Sequence, residues 1–230
     1  NPSSPSVSGT FDALGSANAN GVYFSGSTAY LVRSSSSRDE FFAINVSDPS
    51  SPILVGSLNL GATGSEVVVL GNYAYVASSH DSQELQIIDI TTPDHPTLAE
   101  FYNLSSNSNA ISIAGFGTRI ILGRSNSLMY LFDVENPDSP VFLGSFDAGG
   151  AVNDIALSGD NNHAFLATGS NNAEFQVVDI STPASPDLVG SFNLSSSSDV
   201  NGVAFNSDRD RAFVVSDSNS EEFIVLAPSL

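Results

Sequence analysis

Five polar residues stand just before the innermost apolar stretches of the chain, and their types suit ligand binding. They are Asn20, Ser65, Asn109, Asn153 and Asn201. Two carboxylates, Glu66 and Asp154, directly follow the second and the fourth of these residues. Amide and carboxylate oxygens are the hard ligands that calcium prefers. The set therefore predicts a site for a cation, a small polar ligand or a water cluster. The alternative is that these side chains only bond backbone where their strands begin.

A catalytic interpretation of the same residues is weaker. Glycoside hydrolysis uses paired carboxylates as acid and base, and here Glu66 and Asp154 belong to different, non-adjacent repeats, with Asp199 close enough in sequence to join. No nucleophile elbow or phosphate-binding loop occurs. Three histidines lie in polar segments without metal-ligand spacing: His80, His95 and His163. We expect no enzyme, with a glycan-active or calcium-dependent hydrolase as the alternative.

A second polar position recurs before a proline turn. It is occupied by Asp89, Asp133 and Asp179, with Asn45 in register. Such side chains accept hydrogen bonds from turn amides. Because the position repeats, it is predicted to build the turn and not to form a unique site.

Three glycosylation sequons are present, and they begin at Asn45, Asn103 and Asn193. Asn103 and Asn193 occupy equivalent positions in two repeats, near loops. Glycans are sterically feasible there if the host modifies secreted proteins.

Composition narrows the partners. The net charge is −19, from 25 acidic residues and 6 arginines, with no lysine. Such a field repels phosphate backbones and anionic lipid surfaces, which excludes nucleic acid as a partner. There is no cysteine, so neither disulfides nor thiolate metal sites can form. No apolar run reaches about 18 residues, so no membrane insertion is expected. The abundance of Ser, Asn, Thr and Gly resembles that of extracellular and cell-surface proteins.

A short proline phrase, Pro-x-x-Pro, organises the whole chain. Its first prolines are 44 to 47 residues apart, at Pro2, Pro49, Pro93, Pro137 and Pro183. A fixed period of this size is typical of repeat architectures. The repeats span approximately 1–46, 47–90, 91–134, 135–180 and 181–230, within one domain over 1–230.

Each repeat contains four candidate strands. After the proline phrase comes an alternating segment with a central glycine, as in Pro52–Asn59, then an apolar run such as Val67–Leu70. A Gly- or Asn-containing turn and two more strands follow. Four antiparallel strands per repeat of this length are typical of a propeller blade. The sequence therefore predicts an all-β, five-bladed β-propeller. In such a ring the five polar positions before the inner strands would face each other near one mouth of the central channel.

The phase of the repeats predicts how this ring closes. The segment Pro5–Asp12 falls in register with the outer strands of the other repeats, and the last repeat stops after its third strand. Pairing the two would complete the last blade and remove exposed sheet edges. A piece of a longer array is the alternative.

The third strands and the turns after them resemble those of the LVIVD-repeat β-propeller family. Leu85–Pro93 and Phe175–Pro183 match best, and Gly71–Ala77 also fits; the last repeat departs, with Ala227 where the aspartate stands. The resemblance covers essentially the whole chain. It implies a propeller of the kind found in secreted or cell-surface proteins, and it brings no catalytic residues with it.

The function expected from these observations is non-catalytic. Long polar loops between the second and third strands, together with the connections into the inner strands, should share one face. Binding residues of rigid scaffolds commonly lie on such loops. We expect an adhesion or assembly module that binds a protein or a glycan, or copies of itself in a surface assembly.

Overall fold

The computed structural model describes residues 4–106, 108–194 and 198–227. Within them the chain forms five antiparallel sheets, which we call blades one to five. The first blade contains β1 (Ala19–Ser25), β2 (Thr28–Arg33), β3 (Phe41–Asn45) and β4 (Ile53–Leu58). The second contains β5 (Gly64–Leu70), β6 (Tyr73–Ser78), β7 (Leu85–Asp89) and β8 (Thr97–Tyr102). The third contains β9 (Ala110–Phe116), β10 (Arg119–Arg124), β11 (Leu128–Asp133) and β12 (Val141–Asp147).

The last two blades differ in strand number. The fourth contains β13 (Val152–Leu157), β14 (His163–Thr168), β15 (Phe175–Asp179) and β16 (Asp187–Phe192). The fifth contains β17 (Val200–Asn206), β18 (Arg211–Ser216) and β19 (Phe223–Leu226). The inner strands pack consecutively, β1 on β5, β5 on β9, β9 on β13 and β13 on β17. The fold is thus the predicted all-β propeller of five blades.

The hairpin between the first two strands of each blade turns through a residue in the left-handed region. The residue is a glycine in three blades, Gly26, Gly71 and Gly117, with φ between +56° and +63°. Asn161 (+57°) and Asp210 (+49°) hold it in the fourth and fifth blades. These residue types tolerate positive φ, and the turns lie where the sequence predicted them.

The core consists of four apolar layers, one between each pair of successive blades. Strand residues of period two point alternately to the two neighbouring blades, so each blade contributes one set of side chains to each layer. In the first layer Phe41 of the first blade packs with Val67 and Ile88 of the second. In the last, Phe165 of the fourth blade stacks on Phe205 of the fifth with ring centroids 4.2 Å apart. Burial between sheets therefore explains why the third strands are nearly uniformly apolar.

The proline turns fill the outer part of these layers. A Cβ built on Gly56 of β4 would lie 2.4 Å from the carbonyl oxygen of Pro93, and one on Gly144 of β12 would lie 2.2 Å from that of Pro183. A side chain would clash there, which accounts for the glycines of β4 and β12, whereas β8 has Glu100 at the same register position. The first proline phrase includes Pro2, which lies outside the described residues.

The predicted closure of the ring is not seen in the described part of the chain. Residues 4–18 form no strand, and β19 pairs only with β18. None of the four apolar layers joins the fifth blade to the first. As a result Phe24 of β1 and Phe223 of β19 are 62% and 63% exposed.

Candidate functional site

The polar residues at the start of the inner strands link neighbouring blades. Asn20 donates from Nδ2 to the carbonyl of Gly64 at 2.8 Å, and Ser65 donates from Oγ to that of Ala110 at 3.0 Å. Asn153 donates from Nδ2 to the carbonyl of Val200 at 2.8 Å. Each acceptor is the first residue of the next inner strand. Three of the five positions therefore bond backbone, which is the alternative to ligand binding.

These donors sit at a bulge that repeats in the blades. In the pairing of the first two strands, Asn20, Ser65, Asn153 and Asn201 are the residues skipped by the register. An unpaired bulge residue can turn its side chain away from its own sheet. That freedom lets the side chain reach the carbonyl of the neighbouring blade.

Asn109 does not belong to this set, which corrects its placement from sequence. In the third blade the skipped residue is Ile111, and Asn109 precedes β9. The interblade bond is supplied one residue later, by Ser112, whose Oγ donates to the carbonyl of Val152 at 2.7 Å. The side chains of Asn109 and Asn201 are exposed and make no hydrogen bond to any described residue.

The two carboxylates behave like the amides. Glu66 accepts the backbone N–H of Ile113 at 2.8 Å, and Asp154 accepts that of Val203 at 2.8 Å. Ile113 and Val203 lie on the next blade in each case. Asp154 also accepts the N–H of Ile155 with its other oxygen, at 2.8 Å. Both acids are thus part of the contact between blades.

Burial changes the acidity of both groups. It raises the pKa of Glu66 to about 7, against the hydrogen bond from Ile113, and the charge of Asp154 adds to the rise. Burial also raises the pKa of Asp154, while the amides of Val203 and Ile155 oppose it. With a pKa of about 7, Glu66 exchanges its proton near neutral pH.

A set of buried glutamates was missed from the sequence. Glu40, Glu84 and Glu174 precede the third strands of their blades and are almost completely buried. Each carboxylate accepts the backbone N–H of the leucine that follows the outer strand, at 2.8 to 3.0 Å; the leucines are Leu60, Leu104 and Leu194. The signal was present, because glutamate stands at this position in four of the five repeats, including Glu222.

Two buried arginines make hydrogen bonds in the same region. Arg124 at the end of β10 contacts Glu84 of the preceding blade, with Nη2 3.4 Å from Oε1. It also donates to the carbonyls of Ser106 and Ser108, at 3.0 and 2.6 Å. Arg33 holds the same position in the first blade and donates to the carbonyl of Leu14 at 2.8 Å. These side chains fix the connection between an outer strand and the next inner strand.

The repeated aspartates act as predicted. The Oδ1 atoms of Asp89, Asp133 and Asp179 accept the backbone N–H two residues ahead at 2.8 Å, and Asn45 does the same at 2.9 Å. The hydrogen bonds from the turn lower the pKa of Asp89 and Asp179. Asn45 is therefore engaged in its turn. Among the other sequons, Asn103 and Asn193 are exposed, and Ser195 lies outside the described residues.

The histidines do not converge. His80 lies in the loop after β6, where its Nδ1 accepts the N–H of Ser82 at 3.2 Å. His95 lies in a proline turn, and His163 is the first residue of β14 and not a loop residue. The described residues contain no cluster of three or more His, Cys, Asp or Glu side chains arranged to hold a metal ion. We call the polar residues at the start of the inner strands the inner rim; they are Asn20, Ser65, Glu66, Asn109, Asn153, Asp154 and Asn201. Calcium binding by the inner rim stays a prediction.

The polar loops share one face, as the sequence predicted. The loop after the second strand runs beside the connection into the inner strand, and a backbone bond joins them in each blade. Examples are Ser34 to Asn18 at 2.9 Å and Ser79 to Thr63 at 3.0 Å. We call this side of the molecule the loop face.

The loop face carries two polar grooves on the first two blades. One, of about 450 Å³, is lined by 15–18 and 34–38; the other, of about 310 Å³, is lined by Ser35, 61–63 and 79–81. Hydroxyl, imidazole and carboxylate groups line the second groove. A larger cavity of about 580 Å³ lies elsewhere, between the outer parts of the fourth and fifth blades, beside Gly190 and Phe192. Among the described residues, it lies beside Gly190 on the side where Gly56 and Gly144 meet the proline turn of the next blade.

The arrangement of blades defines a class of protein, the β-propellers. A Lactobacillus plantarum protein of known structure is similar over 91% of this chain and 70% of its own, with 13% identity and a TM-score of 0.76. The periplasmic gluconolactonase of Pseudomonas aeruginosa is similar over 91% and 68%, with 10% identity and a TM-score of 0.76. The Cps50 (Swd1) β-propeller domain of Myceliophteria thermophila is similar over 92% and 74%, with 13% identity and a TM-score of 0.67. At these identities the likeness concerns the fold alone.

The family is defined by the repeats themselves. The LVIVD repeat matches residues 18–59, 61–104 and 149–194, which together exceed half of the chain. The chain belongs to the LVIVD-repeat family, as its third strands indicated. No curated protein matches it. Among the described residues, no helix is long and apolar enough to cross a membrane.

Proposed function

We propose that the chain is a non-catalytic binding and structural module of an extracellular or cell-surface protein, and that it binds a protein or glycan partner on its loop face. The observation that carries the proposal is the use of the inner rim. There the donors of Asn20, Ser65 and Asn153 and the carboxylates of Glu66 and Asp154 bond the next blade. Groups committed in this way support architecture, and the loops that vary between blades supply the specificity.

The chemistry of the loop face supports a polar partner. The groove between the first two blades presents Ser35, Thr63, Ser79, His80 and Asp81. These side chains offer both donors and acceptors, which suits hydroxyl-rich or basic ligands. The net charge of −19 adds attraction for cationic surfaces and repulsion for anionic ones.

A matched pair of variants in one blade tests the proposal. Asp81 on the loop face and Asp94 in the proline turn are both exposed, so each can be replaced without removing core contacts. The purified chain is applied to a glycan array and to an array of extracellular proteins, together with Asp81→Arg and Asp94→Arg. We expect specific binding that Asp81→Arg weakens at least tenfold and Asp94→Arg leaves within twofold. Equal losses, or no binding to either array, would contradict the proposal.

Hydrolysis at the channel mouth is the second candidate function. It is favoured by the raised pKa of Glu66, about 7, since a general acid works best when its pKa lies near the working pH. A fold neighbour is a periplasmic gluconolactonase, which makes sugar lactones the first substrates to test. Calcium is added because amide and carboxylate oxygens are the ligands it prefers. Asp154 would provide the second carboxylate.

The two candidates separate in one assay. Sugar lactones and nitrophenyl glycosides are incubated with the wild-type chain, Glu66→Gln and Asp154→Asn, each with calcium and after chelation. For the binding module we expect no turnover above the blank in any of these samples. Turnover by the wild type that both variants lose would establish the hydrolase, and dependence on calcium would identify the ion. Calorimetric titration of the chelated chain with calcium measures ion binding separately.

A further inference from the structure

The outward face of the fifth blade is built like an interblade face, but no apolar layer formed by the described residues covers it. Ala212 and Val214 of β18 point toward the fourth blade and are buried there. The alternating side chains point the other way, and three of them, Val215, Phe223 and Val225, are exposed. Within the described chain, this face is the counterpart of the faces that carry the four apolar layers.

The first blade presents the complementary surface. Val22 and Phe24 of β1 are exposed, whereas Val67 and Val69, at the same positions of β5, are buried in the layer between the first two blades. The fifth blade therefore exposes the kind of face with which a blade contacts the next blade. The first blade exposes the kind of face with which a blade contacts the preceding one. Large paired apolar surfaces of this kind mark interaction sites.

The polar parts of the contact are free at the same ends. Asn201 occupies the bulge position from which Asn20 and Asn153 donate to the next blade, and its side chain bonds no described residue. Asn20 and Asn153 donate to the carbonyls of Gly64 and Val200. Each of these acceptors pairs with the last residue of the second strand in its own blade. Ala19 holds this position in the first blade.

The free edge of β19 has the features of an edge that receives an outer strand. The N–H of Ser216 bonds the carbonyl of Glu222 at 3.1 Å, as Thr168 bonds Glu174 at 2.7 Å. Glu222 is thus equivalent to Glu174, whose carboxylate accepts the N–H just after the outer strand β16. In Glu222 this carboxylate is exposed.

The N-terminal segment, residues 5–13, has the position of an outer strand that belongs to a preceding blade. A Cβ on Gly9 would lie 2.3 Å from the carbonyl oxygen of Pro49, as for Gly56 and Pro93. Arg33 bonds the carbonyls of Ala13 and Leu14 just as Arg124 bonds those of Ser105 and Ser106 after β8. Arg124 also contacts Glu84, and by this equivalence Arg33 would face Glu222.

We propose that a second copy of this chain occupies the end of the fifth blade. Its first blade packs on Val215, Phe223 and Val225, and its N-terminal segment pairs with β19. A copy is favoured over the chain's own segment because Gly9, Ala13 and Leu14 are held on the first blade of the same chain, which no apolar layer joins to the fifth. The contact is head-to-tail, so it can repeat along a ring or a filament.

Cysteine cross-linking tests the register, because the natural chain has no cysteine. Residues opposed to the third strand in complete blades include Ser57 opposite Phe42 and Ser191 opposite Gln176, and by the same register Thr10 lies opposite Ile224. Thr10→Cys and an Ile224→Cys chain of different mass are mixed and oxidised. We expect a disulfide-linked pair of unequal chains, formed at least five times more than with Val141→Cys as the partner. Val141 is an exposed outer-strand residue of the third blade.

Two outcomes would overturn the proposal. One is no excess of cross-linked pairs over the Val141→Cys control. The other is an internal disulfide in a monomer carrying both Thr10→Cys and Ile224→Cys, which would place the N-terminal segment on the fifth blade of its own chain. Sedimentation of the unmodified chain supplies a second readout. We expect masses above 23.9 kDa that rise with concentration, are lost in Val22→Asp and persist in Val141→Asp. A 23.9 kDa species at every concentration would also overturn it.

Discussion

At the scale of single residues, the polar side chains near the channel are best understood through the groups they bond. Asn20, Ser65, Ser112 and Asn153 each donate to a carbonyl of the next blade. Such a bond contributes about 1 kcal/mol net, and an orphaned buried partner costs more. Polar residues at or next to a bulge therefore have an architectural role, although their chemistry would also suit a ligand.

Glu66 makes stability depend on pH. Its pKa is about 7 in the folded protein and near 4.5 in the unfolded chain, so the native state holds the proton more tightly between these values. The contribution is fully present below about pH 4.5 and is lost as the pH rises through 7. We expect the free energy of unfolding of Glu66→Gln, relative to that of the wild type, to rise by about 3 kcal/mol between pH 4.5 and pH 8. Urea unfolding of both proteins across this range measures it, and parallel pH profiles would contradict it.

Removing a buried glutamate should cost most where an arginine faces it. Glu84→Ala leaves Arg124 buried without its anion, which typically costs about 3 to 5 kcal/mol. Glu174→Ala is the control, because among the described residues that glutamate accepts only the N–H of Leu194, and its Oε1 has no hydrogen-bond partner there. Ser216 stands there in place of an arginine. Urea unfolding should show Glu84→Ala to be the less stable variant; equal losses would argue against the ion pair.

At the scale of elements, the contact of an outer strand with the next proline turn is the most demanding feature. A methyl group on Gly56 would meet the Pro93 carbonyl at 2.4 Å, whereas on Gly190 the nearest atom of the described residues, outside the chain neighbours, is a Val177 carbon at 3.7 Å. We expect Gly56→Ala to lower the free energy of unfolding by about 1 to 3 kcal/mol, and Gly190→Ala to change it by about 0.5 kcal/mol or less. Thermal unfolding compares the two. Similar melting temperatures would disprove the steric account.

The strands were predictable because their cause is local. Period-two apolar residues, turn residues with positive φ and the proline phrase all lie within one repeat, so the sequence indicated four strands per blade. The bulge position in the third blade was not predictable in the same way. Asn109 followed by the small Ala110 imitates the pattern of Asn20 and Gly21, but the pairing of Arg124 with Ala110 shifts the bulge to Ile111.

The burial of the glutamates and arginines could not be predicted from the sequence, for a related reason. Charged residues in polar loops normally lie in water, and only the three-dimensional course of the next outer strand encloses Glu40, Glu84 and Arg124. The carboxylates of Glu66 and Asp154 were found, but their amide partners are 47 and 49 residues further along the chain. Contacts between repeats are invisible to a pattern read within one repeat.

At the scale of the whole molecule, charge is strongly unbalanced. With 25 acidic residues and 6 arginines, the folded chain repels itself at neutral pH. We expect sodium chloride between 0.05 and about 1 M to raise the melting temperature at pH 7.5 by screening this repulsion. At pH 4, near the isoelectric point of about 4.1, the same salt series should have little effect. A salt response of equal size at both pH values would contradict this explanation.

The array of blades also explains why fold and function separate in this protein. Four interfaces of one design hold the five blades, and they use the rim residues that most resemble a ligand site. The loop face varies from blade to blade.

The inner rim joins neighbouring blades, and a comparison of two equivalent asparagines tests this role directly. Asn153 and Asn201 occupy the same bulge position, but only Asn153 bonds the next blade, through Nδ2 to the Val200 carbonyl at 2.8 Å. Urea unfolding is measured for Asn153→Ala and Asn201→Ala at a concentration low enough for the monomer. We predict a loss of about 1 kcal/mol for Asn153→Ala and no measurable change for Asn201→Ala. Equal effects, or a neutral Asn153→Ala, would contradict the claim that the rim joins the blades.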